Sequence, residues 1–559
     1  MILRKSISFL LLLLVVTSAV KAQDLPIIKE IHLSPDLDRS GKAIGLHVNY
    51  SVQYNTDKSH DLKLLFNSLQ PYLDRTTDVV TRLSVIDTQG AVSYRAYPDT
   101  NINDLSLQVW KGNRPVKGKN IKIDYHIPVA VSIPKRRGPH IDLQATGGGL
   151  AGAFTSFLLY PEMLNSVDLS LKWHLPKGFM AVTSKGENDC QIKADLSELM
   201  FCQFIVGKMF AYPEGRRSNG FSLYALGRKS HEMKQVASWV EKVYAHLRNR
   251  LNGKAENPFR IFIRTYEGGP LASGVAVMGG YTLYLPPSED ATTADIHSLI
   301  AHETVHAFVG SLHAQEGEDD WYSEGIADYL CMVLPLEAGL YIPAEFGKLI
   351  NEEAALYYTN EIREVSEKDI PSVKWSGRNA WSIGYSRGAM YFANLEAKLK
   401  RIHSQVTVVA LINQITQQAQ AGEYVTKDTW EKLLASSVGQ WAVEDWKAML
   451  SGKLMIPEPD IYEGYAVRKI TTGVFDLGFA KPMKVQKGEI VKGLDPNSAA
   501  AKAGLQEGDE ILASININKT YTSYSNTLSI PVLRKGKKYT ITFQPRKGSF
   551  EAYEFVKKE

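Results

Sequence analysis

The chain has few cysteines, little net charge and almost no long apolar run. Only three cysteines occur in 559 residues. Cys190 and Cys202 flank a short segment and can pair in an oxidising compartment, while Cys331 reads as a small apolar core residue. Their spacing is poor for a cysteine-built zinc site, and none is needed. Lysine and arginine exceed aspartate and glutamate by 64 − 60 = +4. Arg4, Lys5 and Lys21 supply three of those charges, leaving +1 beyond residue 22 and no basis for nucleic-acid binding. Beyond the N-terminus no apolar stretch is long enough to span a bilayer, so stable membrane insertion is not expected. The glycine string 147–152 is followed by no Lys-Ser/Thr, which excludes a phosphate loop; it reads as a loop. Internal repeats and long disorder-prone tracts are absent.

A hydrophobic content of 44% with 22% charged residues is that of a globular chain long enough for three or four domains. Arg4 and Lys5, the apolar core 7–16 and Val20-Lys21-Ala22 form a targeting segment with cleavage expected after Ala22. The remainder is expected to be exported, to the periplasm or beyond the cell.

The feature richest in chemistry is His302-Glu303-Thr304-Val305-His306, followed after 17 intervening residues by Glu324. Residues four apart share one helix face, so His302 and His306 can address one ion while Glu303 turns aside by about 100°. Two imidazoles and one carboxylate leave a fourth position open, the ligand set of a catalytic rather than a structural zinc. Glu303 is placed to take a proton from water and pass it to a leaving amine. Asp328, four residues after Glu324, suits a carboxylate that accepts the free N–H of a ligating histidine. His313 reads as a loop residue.

These residues resemble the gluzincins, zinc peptidases whose third ligand is a glutamate on a downstream helix. Trp321-x-x-Glu324-Gly325-x-x-x-Tyr329 looks like the glycyl-aminopeptidase branch and its aminopeptidase N relatives. Gly384-Tyr385-Ser386-Arg387-Gly388 matches a further string of that group, and the resemblance implies that Tyr385 donates a hydrogen bond to the oxyanion. It also implies that a glycine-rich strand, here 273–285 with Gly279 and Gly280, contacts substrate. In aminopeptidases that strand carries a glutamate that grips the free amine. Here it contains no acid, and Glu267 is the nearest carboxylate.

The fold expected is multidomain α+β. Alternation in 43–52 and 167–173 predicts strands, and 23–215 reads as an antiparallel β-sandwich-like domain. Residues 216–455 read as a thermolysin-like catalytic domain of mixed sheet plus helices, with helices expected at 231–251, 344–359, 387–402, 406–418 and 426–436. Residues 456–559 contain Ala503-Gly504-Leu505-x-x-Gly508-Asp509-x-Ile511-Leu512 and resemble a PDZ domain. Leu477-Gly478-Phe479 then corresponds to the loop whose amides receive a peptide carboxylate.

The resulting expectation is a zinc-dependent peptidase acting on peptides or proteins, of glycyl-aminopeptidase type. An endopeptidase and a non-enzymatic peptide-binding protein stand as alternatives. The missing strand carboxylate favours the first alternative; the intact Glu303 argues against the second.

Overall fold

The computed structural model describes residues 24–69, 80–102, 105–129, 142–215, 220–252, 258–266, 273–277, 279–287, 289–314, 317–374, 378–479, 485–515 and 517–559. The segment expected to act in targeting and Glu267 lie outside them. No described helix is long and apolar enough to cross a membrane.

Strict alternation builds the N-terminal part. In strand Ala43–Gln53, Leu46, Val48, Tyr50 and Val52 are buried, while His47, Asn49 and Ser51 face outward. The strand lies inside a seven-stranded sheet ordered Cys190–Asp195, Ser166–Trp173, Ile27–Leu37, Ala43–Gln53, Asn120–Pro128, Thr81–Asp87, Gly90–Val92. Its apolar face packs on four-stranded sheets that contribute Leu64, Phe66, Leu107, Phe204 and Val206 to a common core. The expectation of a purely antiparallel domain is corrected at one seam. Ile27–Leu37 runs parallel to Ser166–Trp173, because more than a hundred residues separate the two strands and no hairpin dictates their direction.

The string 147–152 is also corrected from loop to structure. Gly147 and Gly148 turn the chain with φ of +53° and +83°, and Gly149–Ala153 then forms a fully buried strand. A Cβ on Gly149 would overlap the carbonyl of Val206 on the neighbouring strand. Glycine is used here for close backbone approach rather than for freedom.

The central part opens with a five-stranded sheet ordered Phe210–Tyr212, Phe221–Leu226, Phe259–Thr265, Gly280–Leu285, Ser273–Val277. The middle three strands are parallel, and helix Ser230–Arg250 makes the first crossover between them. Helices Ala294–His306, Asp320–Glu337, Pro343–Tyr358, Arg378–Arg401, Val408–Gln420, Lys427–Ser437 and Gln440–Leu450 follow. Trp321 is fully buried among Tyr391, Phe392, Trp430 and Trp446 at their centre. Such aromatic rings bury on the order of 150–250 Å² each and dominate the packing energy of this half.

The helix expected at 387–402 starts at Arg378. Gly384 and Gly388 lie within the helix. A Cβ at Gly388 would overlap the Trp321 carbonyl and come within 2.7 Å of the Gly325 Cα. A Cβ at Gly384 would meet the backbone of Asp320 and Trp321 at 3.3 Å. The two glycines, one turn apart, let this helix cross Asp320–Glu337 at backbone contact. Buried Arg387 pins the same helix, with 2.7 Å to the Glu367 carboxylate and 2.7 Å to the Val365 carbonyl.

The C-terminal part pairs Tyr465–Phe475 with Arg546–Lys557 and forms a second sheet from Glu510–Ile511, Leu528–Arg534 and Lys537–Phe543. It has its own core, including Leu477, Phe479, Ile511, Ile530 and Val532. Its paired ribbon also packs on the helical half: Asn351 on helix Pro343–Tyr358 exchanges two 2.8 Å bonds with the backbone of Phe555.

Candidate active site

Helix Ala294–His306 starts at Thr293, whose hydroxyl accepts from the Ile296 N–H at 3.5 Å. Buried Thr304 secures its last turn, with its hydroxyl 2.7 Å from the Ile300 carbonyl and 3.1 Å from the Tyr281 hydroxyl on strand Gly280–Leu285. The helix therefore lies on the sheet by one face and presents His302 and His306 from another.

Three donor atoms meet in front of it. His302 Nε2 and His306 Nε2 are 3.1 Å apart. Glu324 Oε2, from helix Asp320–Glu337, is 3.2 Å from the first and 3.4 Å from the second. A tetrahedral ion with bonds of about 2.0–2.1 Å has ligand–ligand edges of about 3.3 Å. The triangle fits zinc without rearrangement, and the donor chemistry is that of a borderline-soft cation.

Asp328 lies on the far side of His302, with Oδ1 2.7 Å from Nδ1. This holds the imidazole so that Nε2 faces Glu324. Burial favours neutral His302, yet the adjoining Asp328 raises its pKa well above the ordinary histidine value. Burial also opposes ionised Glu324, but His306 and His302 hold its carboxyl far below the usual range. Cys331 closes the back of the site, its thiol 3.2 Å from the Asp328 carbonyl and 3.4 Å from the Ser298 hydroxyl. All three cysteines are free thiols here.

Glu303 is buried, and burial pushes its carboxyl pKa up against the pull of His302 and His306. Its seat is Gly274 on edge strand Ser273–Val277, where a Cβ would overlap the Glu303 carboxylate. Gly279 and Gly280, expected to contact substrate, have another job. Val277 pairs with Gly280, and Gly279 has φ of +78°. A Cβ on Gly280 would overlap the Arg260 carbonyl. Both glycines are buried against their own sheet, so the glycine that shapes the cleft is Gly274.

Tyr385 stands over the metal-facing histidine. Its ring is stacked at 6.0 Å and 7° from that of His302, and is held from behind by Trp381 at 4.7 Å. The close crossing at Gly325 and Gly388 brings it there. A cavity of about 300 Å³ opens beside His306, lined by Phe308, Tyr322, Ile415 and Gln420 among others. Neither this cavity nor Gly274 was legible in sequence, since each is made by segments distant along the chain. Buried Glu353 was also missed; burial and then Asp328 push its carboxyl well above the ordinary range. His313 is exposed and stacks on Tyr424 at 4.2 Å, away from the donors.

In the C-terminal part the loop 477–479 has a different character. Leu477 and Phe479 are buried in its core. The Gly478 N–H, expected to receive a peptide carboxylate, donates instead to Asp476 Oδ1 at 3.0 Å. Downstream, Gly504 and Gly508 take positive φ of +103° and +85° as their turns require. Asp509 is locked to Arg534 by 2.7 and 2.6 Å bonds.

No family model and no curated protein matches the chain. Among solved structures it is similar to an aminopeptidase N family protein from Idiomarina loihiensis, with a TM-score of 0.65 and 14% identity over 95% of this chain and 98% of that one. An M1 zinc metallopeptidase from Deinococcus radiodurans matches at a TM-score of 0.43 and 13% identity, over 78% of this chain and 97% of that one. Native yeast LTA4 hydrolase matches at 0.44 and 14%, over 78% and 69%. The first likeness establishes a shared fold along nearly the whole of both chains.

Proposed function

We propose that the chain is a zinc-dependent peptidase of aminopeptidase type, exported by its N-terminal segment. The observation that carries this reading is the donor triangle of His302, His306 and Glu324 with Glu303 buried beside it. The fold shared with an aminopeptidase N family protein supports it. Bound at the triangle, zinc supplies Lewis acidity to a scissile carbonyl and lowers the pKa of an attacking water towards about 7.

The chain's own groups do the rest. Glu303, made more basic by burial, takes the water's proton and hands it to the leaving amine. The Tyr385 phenol donates to the oxygen on which negative charge develops. Asp328 keeps His302 in one tautomer and orientation. Strand Ser273–Val277 is the edge of its sheet among the described residues, where an extended peptide can lie, and the cavity beside His306 takes one side chain. A non-enzymatic peptide binder has no use for a buried general base, so the hydrolase reading is preferred.

Glycyl-aminopeptidase type is the finer reading. The strand lacks the carboxylate that grips a free amine in relatives, and this observation supports an endopeptidase as the second reading. Purified zinc-loaded protein offered a peptide library, free and N-acetylated, separates the two. Release of single N-terminal residues from free peptides alone supports the aminopeptidase. Equal internal cleavage of both forms supports the endopeptidase.

The C-terminal part is read as a PDZ domain, on the sequence match at 503–512 and the positive-φ glycines that accompany it. Docking of a C-terminal peptide at Leu477, Gly478 and Phe479 requires Asp476 to give up the Gly478 amide.

A further inference from the structure

A second His–carboxylate cluster lies on the outer face of the seven-stranded sheet. Side chains two apart on a strand point to the same side, and the residue opposite one of them on the next strand joins them. Asp124 and His126 are two apart on Asn120–Pro128, and His126 pairs directly with His47 on Ala43–Gln53. The three donor sets lie within 4.8 Å of one another. The two imidazoles are parallel, with centroids 4.4 Å apart and planes 10° apart.

Each group is already oriented. Asp36 Oδ2 is 2.8 Å from His126 Nδ1, which leaves His126 Nε2 free to act as a ligand. This contact spans two strand spacings, because Asp36 lies on Ile27–Leu37 and the strand Ala43–Gln53 runs between. Gly45 makes the reach possible: it sits opposite both Asp36 and Pro128, and a Cβ there would stand 3.3 Å from the Asp36 carboxylate and closer still to the Ile127 carbonyl. Asn49 Nδ2 holds Asp124 Oδ2 at 2.9 Å. His47 Nε2 is 2.8 Å from the same oxygen.

We infer that His47, Asp124 and His126 form a second binding site for a divalent transition-metal ion, with Asp36 fixing the tautomer of His126. Two imidazoles and one carboxylate suit zinc and its neighbours rather than calcium or magnesium. An ion needs the His47–Asp124 separation to open from a hydrogen-bond length to about 3.3 Å, and the two parallel rings to turn until both nitrogens face it. Side chains that are 32% and 39% exposed have room for that half-ångström. His47 Nε2 gives up its bond to Asp124 as the ion enters, the ring proton shifting to Nδ1. The partial exposure keeps a fourth position open to water, and the ion ties together the two strands that carry its ligands. The site stands apart from the peptidase residues, so neither reading depends on the other.

The test is zinc titration by calorimetry, with metal analysis after dialysis, on the full-length protein. Wild type is expected to bind two ions, and both H302A/H306A and H47A/H126A one each. Asp36→Asn should weaken the second site by about 10–100-fold. His32→Ala, on the same face, should leave it unchanged. Zinc should raise the melting temperature of H302A/H306A, and Co2+ added to that variant should give the absorption of a nitrogen-and-oxygen-ligated ion; both readouts leave residues 36–126 intact. The inference is overturned if H302A/H306A binds no ion, or if H47A/H126A binds as many as wild type. Weak uptake indifferent to Asp36→Asn also overturns it, as adventitious surface binding.

Discussion

The central cleft and the C-terminal part both announce themselves in sequence by short motifs, yet their polar groups are committed differently. In the cleft, His302 Nε2, His306 Nε2 and Glu324 Oε2 face one another across 3.1–3.4 Å. In the C-terminal part the Gly478 amide is already satisfied by Asp476, and Asp509 by Arg534. Two imidazole nitrogens and a carboxylate oxygen converging on one point can share a cation; a donor already bonded to its own chain gains nothing until that bond breaks. The contrast is between a site poised for a ligand and a loop that has supplied its own.

The largest effect that can break this contrast is at Glu303. Glu303→Gln should reduce kcat by about 10²–10⁴ while zinc content stays at the wild-type level. Near wild-type turnover in that variant, measured on the same peptide, would remove the proposed mechanism. Next comes Tyr385→Phe, expected to lower kcat by about 10²-fold with little change in KM. A pure KM effect would assign the ring to binding instead.

Gly388→Ala probes how the cleft is assembled. The added methyl meets the Trp321 carbonyl, and overpacking of that kind costs about 1–3 kcal/mol. Denaturant unfolding should show this loss, and activity should fall too, since the crossing positions Tyr385. Unchanged stability would mean that the helices separate at no cost.

On the other side of the comparison, Asp476→Ala frees the Gly478 amide. If the loop is a closed version of a carboxylate receptor, the variant should bind a C-terminal peptide about fivefold more tightly, the worth of about 1 kcal/mol. Fluorescence polarisation with free-acid and amidated peptides reads this directly. Equal binding of both forms would show that the loop does not recognise carboxylates.

The smallest effect concerns pH. His297, stacked on Trp239 at 4.1 Å, has its pKa pushed down to about 4 by burial. Below the ordinary histidine pKa of about 6.5 the unfolded chain binds this proton more readily than the folded one. Its contribution to stability is therefore whole above about 6.5 and falls as the pH drops towards about 4. The loss is on the order of 1–3 kcal/mol. Unfolding of wild type against His297→Phe between these pH values should show the wild type losing more. Parallel curves would mean that His297 stays solvated.

Much of the cleft was legible because its chemistry follows helical spacing. His302, Glu303 and His306 lie within one and a half turns, and Asp328 follows Glu324 by one turn, so local geometry alone puts each pair on one face. The strands at 43–53 and 166–173 were legible for the same reason, through a period of two. The glycines were read less well. The string holding Gly149 read as a loop, and Gly279 and Gly280 as substrate contacts. Gly149, Gly280 and Gly388 sit where a backbone carbonyl of a remote segment leaves no room for a Cβ, and a glycine spent on a distant contact has the same local signature as one spent on a turn.

Local sequence therefore determined the kinds of donor, their spacing along each element, and the order of β-rich, mixed and C-terminal parts. It could do so because hydrogen-bonded helices and strands impose fixed periods on whatever residues occupy them. Only the tertiary structure decided that Gly274 seats Glu303, that Tyr385 faces His302, that Asp476 closes the Gly478 amide, and that Asp36 crosses a strand to reach His126. Those contacts join residues tens to hundreds of positions apart, and their distances are set by packing, which no local period encodes.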